Sequence, residues 1–196
     1  MCGRFFLDVS FDEILSQYDL KVLEGAYEER YEIFPTQAVI TIVKRKNALK
    51  AVPMSWGIVT PYLKKPVINA RAESLIQKKL FATAIEKRRC VIPASGYFEW
   101  QKLNDTKKMK NKIWVEDEPI IGMAGVYNVY EVACEKKAMA SILTIDAAAS
   151  IREIHDRMPL LLTKEMAKRY LDDDHFDVSS YQSQAHLLPI KAIAVG

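Results

Sequence analysis

Cysteine is scarce in this sequence, and its few copies are far apart. Cys2, Cys90 and Cys134 are the only three among 196 residues. An odd number without a short-range pair argues against both a disulfide framework and a cysteine-rich zinc module. The three histidines add no close ligand spacing, so we expect no metal site. We therefore predict a protein of the reducing cytoplasm.

Long apolar runs and biased segments are also absent. No apolar run approaches the roughly 20 residues that a membrane-spanning helix needs, and the N-terminus lacks the apolar core of a signal peptide. Hydrophobic residues make up 49% and charged residues 27% of the chain, which is typical of a folded soluble protein. The net charge of +3 permits nucleic-acid binding only where positive charges cluster. We expect one monomeric domain over residues 1–196, with no membrane partner and no cofactor.

Short extended segments dominate the predicted structure. From Arg89 onward they alternate with turn-like or charged stretches, which is the pattern of an antiparallel sheet. Near the N-terminus, Ser10 and Glu13 can form a capping box that begins a helix. We predict a single α+β domain with a mostly antiparallel, curved or barrel-like sheet flanked by a few helices.

Two further helices are expected beside polar residues of interest. Residues 67–71 lead into a predicted helix of about fifteen residues, judged by its apolar stripe. That helix would place Asn69 and Arg71 at a junction between a loop and a helix. A shorter helix is predicted immediately before His155.

The N-terminus carries the most unusual chemistry. The small side chain of Cys2 permits removal of Met1, which would leave an amine and a thiol on neighbouring carbons. An α-amino group with a pKa of about 7.7–8.0 is partly unprotonated near neutral pH. Such a pair captures aldehydes, because the amine forms an imine and the thiolate then closes a thiazolidine ring. The alternatives are that Met1 stays or that Cys2 is simply a small buried residue.

Two acid–base candidates stand later in the sequence. Strand alternation puts Glu99 on the face opposite Phe98 and Trp100, and partial desolvation there would raise its pKa towards the range useful for proton transfer. The alternative is an ordinary glutamate on a solvent-facing strand. His155 is followed by an acid and then a base, an ionic setting that can tune its titration near neutral pH.

Basic and aromatic residues offer contacts for a nucleic acid. Arg4 and Arg71 can contact phosphates, and Trp56 and Tyr62 can present faces on which bases stack. Arg157 completes the predicted DNA-binding set. The alternative is that these charges form an ordinary solvated surface.

Five short motifs follow one another along the chain. They are Met1-Cys2-Gly3-Arg4-Phe5, Trp56-Gly57, Asn69-Ala70-Arg71-Ala72-Glu73, CVIPASGYFEW over residues 90–100, and IHDRMP over residues 154–159. Together they resemble the SRAP (SOS response-associated peptidase) domain family. Any one motif would be weak evidence, but five in family order, beginning at the N-terminus itself, are specific. The resemblance covers nearly the whole chain.

The resemblance implies a sensor of abasic sites in single-stranded DNA. A member of this family would crosslink covalently to the lesion through Cys2 and so shield it, with the ring-opened sugar supplying the aldehyde. An imine at that carbon also acidifies the neighbouring proton, so a strand-cutting β-elimination (AP-lyase activity) is a plausible side reaction. Self-removal of Met1 would account for the peptidase in the family name, although an ordinary methionine aminopeptidase could remove Met1 equally well.

The same resemblance assigns roles to individual residues. The four catalytic residues would be Cys2 as the nucleophile, Asn69 to orient the sugar adduct, Glu99 to move protons during imine formation and reversal, and His155 to help open the sugar. Arg4 and Arg71 would hold the flanking phosphates.

The chain departs from the family pattern at two places that bear on DNA binding. Family members often carry Asn where this chain has Glu32, and an acid there would weaken a nearby phosphate contact. Where relatives place Trp in the loop that wedges the DNA, this chain offers Tyr62 and Leu63. A preference for single strands over junctions is therefore left open.

Three other functions fit parts of the sequence. One is an N-terminal-nucleophile thiol peptidase or amidohydrolase, in which the free amine of Cys2 serves as base for its own thiol. Another is a module that binds single-stranded DNA without a covalent step. The last is a hydrolase that uses Ser95 or Cys90 with His155, which ranks lowest because the G-x-S-x-G motif is missing.

Overall fold

The computed structural model describes residues 2–20, 28–132, 134–173 and 175–195. Within these residues the strands are, in chain order, β1 (Arg4–Leu7), β2 (Arg30–Ile33), β3 (Ala38–Arg45), β4 (Ala48–Trp56), β5 (Asn69–Arg71), β6 (Arg89–Ala94), β7 (Gly96–Lys102), β8 (Lys108–Val115), β9 (Ile121–Val132), β10 (Glu135–Asp146), β11 (Arg157–Pro159), β12 (Leu161–Leu162) and β13 (Ile190–Ala194). The helices are α1 (Phe11–Gln17), α2 (Lys79–Lys87), α3 (Lys164–Asp172) and α4 (Val178–Ala185), with a 3-10 turn over Ala72–Ser74.

A closed barrel forms the centre of the fold. Strand β10 pairs with β4, β4 with β3, β3 with β6 and β6 with β9, and β9 pairs again with β10. The pairs that β10 makes with β4 and β5 are parallel, whereas the other pairs of this sheet are antiparallel. Closure pairs each of these strands on both sides over part of its length, although β3 meets β6 at one register pair and β4 meets β10 at two. The prediction of an α+β domain with a mostly antiparallel, barrel-like sheet and a few helices is confirmed.

A second sheet carries the N-terminus. Its five strands lie in the order β13-β8-β7-β1-β2, and every neighbouring pair is antiparallel. One hydrophobic cluster joins this sheet to the barrel, because Phe5 and Tyr97 pack in the same core as Trp56 and Ile142. The N-terminal strand is therefore fixed against the main core.

Gly96 allows close packing where β1 meets β7. A Cβ atom at this position would stand 2.3 Å from the carbonyl oxygen of Ile113 and 2.6 Å from the ring of Phe6. Both distances are far below a normal contact, so the absence of a side chain lets β7 pass between its two neighbours.

The capping box at the first helix forms as predicted. The side chain of Ser10 accepts from the backbone of Glu13, and the carboxylate of Glu13 accepts from the backbone of Ser10. The helix that follows buries Ile14 against the core. In the described part of the chain, no helix has the length and apolar character that crossing a membrane requires.

The helix expected from residue 69 onward is wrong in its first half. Asn69 and Arg71 lie on a strand that pairs with β10, and the α-helix begins only at Lys79. Ile76, which the apolar stripe would place on the buried face of that helix, is 73% exposed. Pairing with β10 overrides the local helical periodicity, because the short strand gains hydrogen bonds to a barrel strand along one edge.

The short helix expected before His155 is likewise absent, and residues 147–154 form successive turns. The amide of Ala147 donates to the carbonyl of Asp156, which closes this segment into a loop. His155 is thus presented by a loop between two paired strands, β10 and β11.

Candidate active site at the N-terminus

The pairing of β1 with β7 sets the first contact of the site. Arg4 lies opposite Phe98 and Phe5 opposite Tyr97 in an antiparallel register. This pairing brings the residues before Arg4 towards the part of β7 that carries Glu99. The negative charge of Glu99 acts on the buried thiol of Cys2, so the two side chains lie near each other although 97 positions separate them in the chain.

Asn69 joins the site through a direct hydrogen bond. Its Nδ2 atom donates to the carbonyl oxygen of Cys2 at 2.7 Å. Its Oδ1 atom is buried without a hydrogen-bond partner among the described residues. The amide thus holds the backbone of the N-terminus in place and keeps an acceptor available beside it.

Burial controls the electrostatics of the thiol. Cys2 is fully buried, and this burial, with the nearby charge of Glu99, raises the pKa of its thiol to about 12. The Sγ atom donates to the carbonyl of Arg4 at 3.8 Å, which offsets only part of that rise. In this state the group is a protonated thiol, because a thiolate beside a carboxylate in an apolar setting would be strongly unfavourable.

Glu99 is buried on the same strand pair, with only 5% of its surface exposed. Its Oε1 atom accepts a hydrogen bond from the backbone amide of Trp100 at 3.2 Å. The alternative of an ordinary solvent-facing glutamate is therefore wrong. A buried carboxylate next to a buried thiol is suited to exchanging a proton with it, since transfer leaves the total charge of the pair unchanged.

His155 lies on the loop before β11, and this loop contacts the strand that carries Glu99. The loop is tied to β7 because Gln101 donates to the carbonyl of Glu153 at 3.2 Å. The Nδ1 atom of His155 lies 3.0 Å from the amide of Arg157 and 2.8 Å from a carboxylate oxygen of Asp156. The backbone amide is the fixed partner, whereas Asp156 is 82% exposed and screened by water. Because Nδ1 accepts a hydrogen bond from that amide, a neutral His155 ring carries its proton on Nε2.

Arg157 holds this region together from inside. Its guanidinium donates to Asp146 at 2.7 Å, to Glu73 at 2.9 Å and to the carbonyl of Thr144 at 2.7 Å. Only 8% of its side chain is exposed. These bonds connect the His155 loop to the segment that follows Asn69. In this arrangement the side chain is engaged with carboxylates and is not presented to a phosphate.

The other predicted DNA contacts divide into exposed and buried residues. Arg71 is exposed, and Tyr62 is 95% exposed at the tip of the loop that follows β4. Trp56 is fully buried: its Nε1 atom donates to the carbonyl of Ile68, and its ring packs edge-on against Phe5. The expectation that Trp56 offers a stacking face is wrong, because both its ring and its polar atom are used in the core.

Arg4 belongs to a cluster of cations and aromatic rings beside the site. Its guanidinium lies 4.4 Å from the centre of the Phe34 ring and 4.9 Å from that of Trp100. Lys110 covers the ring of Phe98 at 4.1 Å. The carboxylate of Glu32 bridges the two cations, at 3.2 Å from Arg4 and in direct contact with Lys110. These contacts hold the pKa of Glu32 below its usual range, chiefly through the hydrogen bond from Lys110.

The sequence reasoning missed two members of the site. Lys110 stands on β8 opposite Trp100, and no local pattern links it to Arg4. Tyr97 shares a strand face with Glu99, since the two are two residues apart. Alternation along the GYFEW motif could have selected Tyr97 as a neighbour of the carboxylate.

Comparisons with known proteins show which family the chain matches. The family model described as SOS response associated peptidase (SRAP) matches residues 1–195. The chain is 32% identical to the abasic site processing protein YobE of Bacillus subtilis (strain 168), over 98% of this chain and 90% of that protein. It is 28% identical to the abasic site processing protein YedK of Escherichia coli (strain K12), over 87% of this chain and 79% of that protein.

Solved structures share the fold. A crystal structure of a protein from Bacteroides thetaiotaomicron superimposes with a TM-score of 0.78 at 22% sequence identity, covering 100% of this chain and 92% of the other. A phage-related protein from Bordetella bronchiseptica gives a TM-score of 0.78 at 20% identity, covering 99% and 94%. At these identities the likeness establishes the fold alone.

The burial of Cys2 predicts a slow reaction with alkylating reagents. Brief treatment of the native protein with iodoacetamide at pH 8 should label the exposed Cys134 first. Cys2 should react slower by a factor on the order of 10³, because burial and a raised pKa keep its thiolate fraction low. Peptide mass spectrometry measures both sites. Labelling in urea is the control and should remove the difference, whereas equal rates in the native protein would contradict the burial of the thiol.

Proposed function

Because the chain belongs to the SRAP family, we propose that it processes abasic sites in single-stranded DNA by forming a covalent thiazolidine crosslink through Cys2. The names of its relatives YobE and YedK support the processing of abasic sites. The observation that carries the finer proposal is the convergence on Cys2 of Asn69, by a hydrogen bond, and of the buried Glu99, whose charge acts on the thiol.

The reaction begins with the amine that removal of Met1 exposes. This amine attacks the aldehyde of the ring-opened sugar, and loss of water gives an imine between the nitrogen of Cys2 and the sugar carbon. The sulfur then attacks the imine carbon. The new S–C bond closes a five-membered ring, and the imine nitrogen takes up a proton, so the product has the mass of protein plus DNA less one water.

Glu99 moves the proton that the sulfur must lose. The free thiol is protonated because its surroundings are apolar and already contain a carboxylate. Transfer of the proton from Sγ to Glu99 replaces one buried negative charge by another. The carboxylic acid that results can then return the proton to the imine nitrogen, which makes the step a transfer within the site.

Asn69 and His155 act on the sugar. The buried Oδ1 atom of Asn69 can accept from a hydroxyl of the opened sugar while its Nδ2 atom keeps the N-terminus in position. His155, with a proton on Nε2, donates to the ring oxygen and favours the open aldehyde form. Abstraction of the acidified proton next to the imine would cut the strand, which gives the AP-lyase side activity. Self-removal of Met1 is the peptidase component of the proposal.

The DNA strand is bound by exposed groups around this centre. Arg71 follows Asn69 on β5 and supplies an exposed cation, and Arg4 is held beside the thiol by two aromatic rings. Tyr62 and Tyr31 expose 95% and 59% of their surfaces and can stack on unpaired bases. These contacts do not need the thiol, so non-covalent binding persists without it.

Replacement of Cys2 by Ala separates imine formation, which needs the amine, from ring closure, which needs the sulfur. Alanine is small enough for an ordinary methionine aminopeptidase to remove Met1 without help from the thiol. The processed variant keeps the amine and should form an imine that only borohydride makes stable. Intact-mass measurement with an abasic single strand should show no adduct without reductant, whereas the wild-type protein gains the DNA mass less water. Cys134→Ala is the matched control and should crosslink normally. A stable adduct in the Cys2→Ala protein would overturn the thiazolidine.

Replacement of Glu99 by Gln removes the proton carrier and keeps the shape. Crosslinking at saturating DNA should slow by a factor on the order of 10² or more, as expected for loss of a positioned acid–base group. A time course on denaturing gels measures the rate. The exposed Glu131→Gln should leave it unchanged, and a normal rate in Glu99→Gln would exclude this residue from the proton transfer.

Replacement of Glu32 by Gln tests whether its carboxylate competes with DNA phosphates for Arg4 and Lys110. Loss of one surface ion-pair partner should tighten binding to an undamaged single strand by about two- to fivefold at low salt. The salt dependence should become steeper because two cations become available. Fluorescence anisotropy measures both. Glu116→Gln, which breaks the 3.1 Å pair with Lys191 on the same sheet, is the control. Weaker binding in Glu32→Gln would show that the carboxylate instead orients the cations for DNA.

A further inference from the structure

The hydroxyl of Tyr97 is buried beside the candidate site without a hydrogen-bond partner among the described residues. Only 1% of the residue is exposed. A buried hydroxyl that lacks a partner destabilises the folded state, because its hydrogen bonds to water are lost and not replaced. Phenylalanine would fill nearly the same space without this cost, so the oxygen calls for an explanation other than packing.

The strand geometry places this hydroxyl group on the reactive face. Tyr97 and Glu99 are two residues apart on β7, so both side chains leave the strand on the same side. Tyr97 lies opposite Phe5 of β1 and opposite Ile113 of β8, between two paired strands. It packs in the same hydrophobic cluster as Cys2.

The electrostatics confirm that these groups lie close together. Burial raises the pKa of Tyr97 well above its usual value, and the charges of Cys2 and Glu99 raise it further. The phenol therefore keeps its proton throughout the pH range in which the other two groups exchange one. It is a permanent hydrogen-bond donor in the same buried cluster as the thiol.

The thiol, by contrast, has no donor contact among the described residues that would stabilise its ionised form. Its hydrogen bond to the backbone runs from Sγ to the carbonyl of Arg4. A carbonyl accepts a hydrogen bond from a thiol but repels a thiolate. When the proton leaves the sulfur, that contact turns unfavourable, and a donor has to replace it.

We propose that the Tyr97 hydroxyl donates a hydrogen bond to the Cys2 sulfur when the thiol loses its proton and attacks the imine. This inference rests on the proposed function and names a further residue for the same reaction. In the step, the thiol proton passes to Glu99, the S–C bond forms and the imine nitrogen is protonated. Tyr97 keeps its own proton, so it stabilises charge without taking part in the proton balance.

Replacement of Tyr97 by Phe removes only the oxygen. With Met1-processed protein and saturating abasic single strand, formation of the stable crosslink should slow about tenfold or more, the effect of one hydrogen bond to a charged group. The pH at half-maximal rate should move upward, because the thiolate is harder to form. Trapping of the imine by borohydride should proceed at the wild-type rate, since the amine step does not use the sulfur.

Two further measurements separate this role from a structural one. Thermal unfolding of Tyr97→Phe should show equal or higher stability, because the substitution removes a hydroxyl with no described partner. Tyr170→Phe is the matched control: its buried hydroxyl donates to the carbonyl of Gly125 at 2.9 Å. That variant should lose stability and keep the wild-type rate and pH profile.

The outcomes distinguish the inference from the function on which it rests. If the wild-type protein crosslinks and Tyr97→Phe does so at the same rate and with the same pH profile, Tyr97 does not stabilise the sulfur and the proposed function stands. Lower stability of Tyr97→Phe with an unchanged rate would likewise overturn the inference and leave a packing role. If wild-type protein free of Met1 forms no adduct with abasic DNA, the proposed function fails and the inference fails with it.

Discussion

The antiparallel pairing of β1 with β7 is the contact on which the site depends. It places the N-terminus beside Glu99 and Tyr97 and buries Cys2 in the core. A chain terminus usually frays, because few contacts oppose its conformational entropy. Here the terminal strand is paired on both sides, with β2 and with β7, and Asn69 binds the backbone of Cys2. These contacts oppose fraying of the N-terminal strand.

Burial has opposite effects on the two properties that the proposed reaction requires of Cys2. It keeps the thiol protonated and shields it from solutes until a substrate binds. In the proposed reaction the same burial makes the attacking thiolate hard to form, so neighbouring groups have to take its proton and stabilise its charge. Glu99 and Tyr97 lie on one face of one strand, as strand alternation in the GYFEW motif requires, and the pairing of β1 with β7 brings the N-terminus to that strand.

Beside the thiol, Arg4 and Lys110 form a cationic surface that suits phosphate, and Glu32 competes with phosphate for these two cations. Arg4 and Lys110 are fixed over aromatic rings, which lowers the entropy that each would lose on contact with a phosphate. Glu32 neutralises part of this charge in the free protein. An internal carboxylate of this kind weakens attraction to any single strand and increases the relative importance of the covalent step. Selectivity for the lesion would then depend more on aldehyde chemistry than on charge.

The sequence by itself determined the fold class, the family and the chemical types of the main site residues. The capping box, the extended segments after residue 89 and the five motifs each depend on residues that are close together in the chain, and these patterns can be read directly from the sequence. Tertiary structure decided which of these residues meet. Asn69 became part of a strand through pairing with β10, Trp56 was taken into the core, and Arg157 was engaged by carboxylates from Glu73 and Asp146. Lys110 and Glu32 came together across two strands between them. Such contacts join residues far apart in the chain, and their free energy depends on burial and register that no local pattern contains.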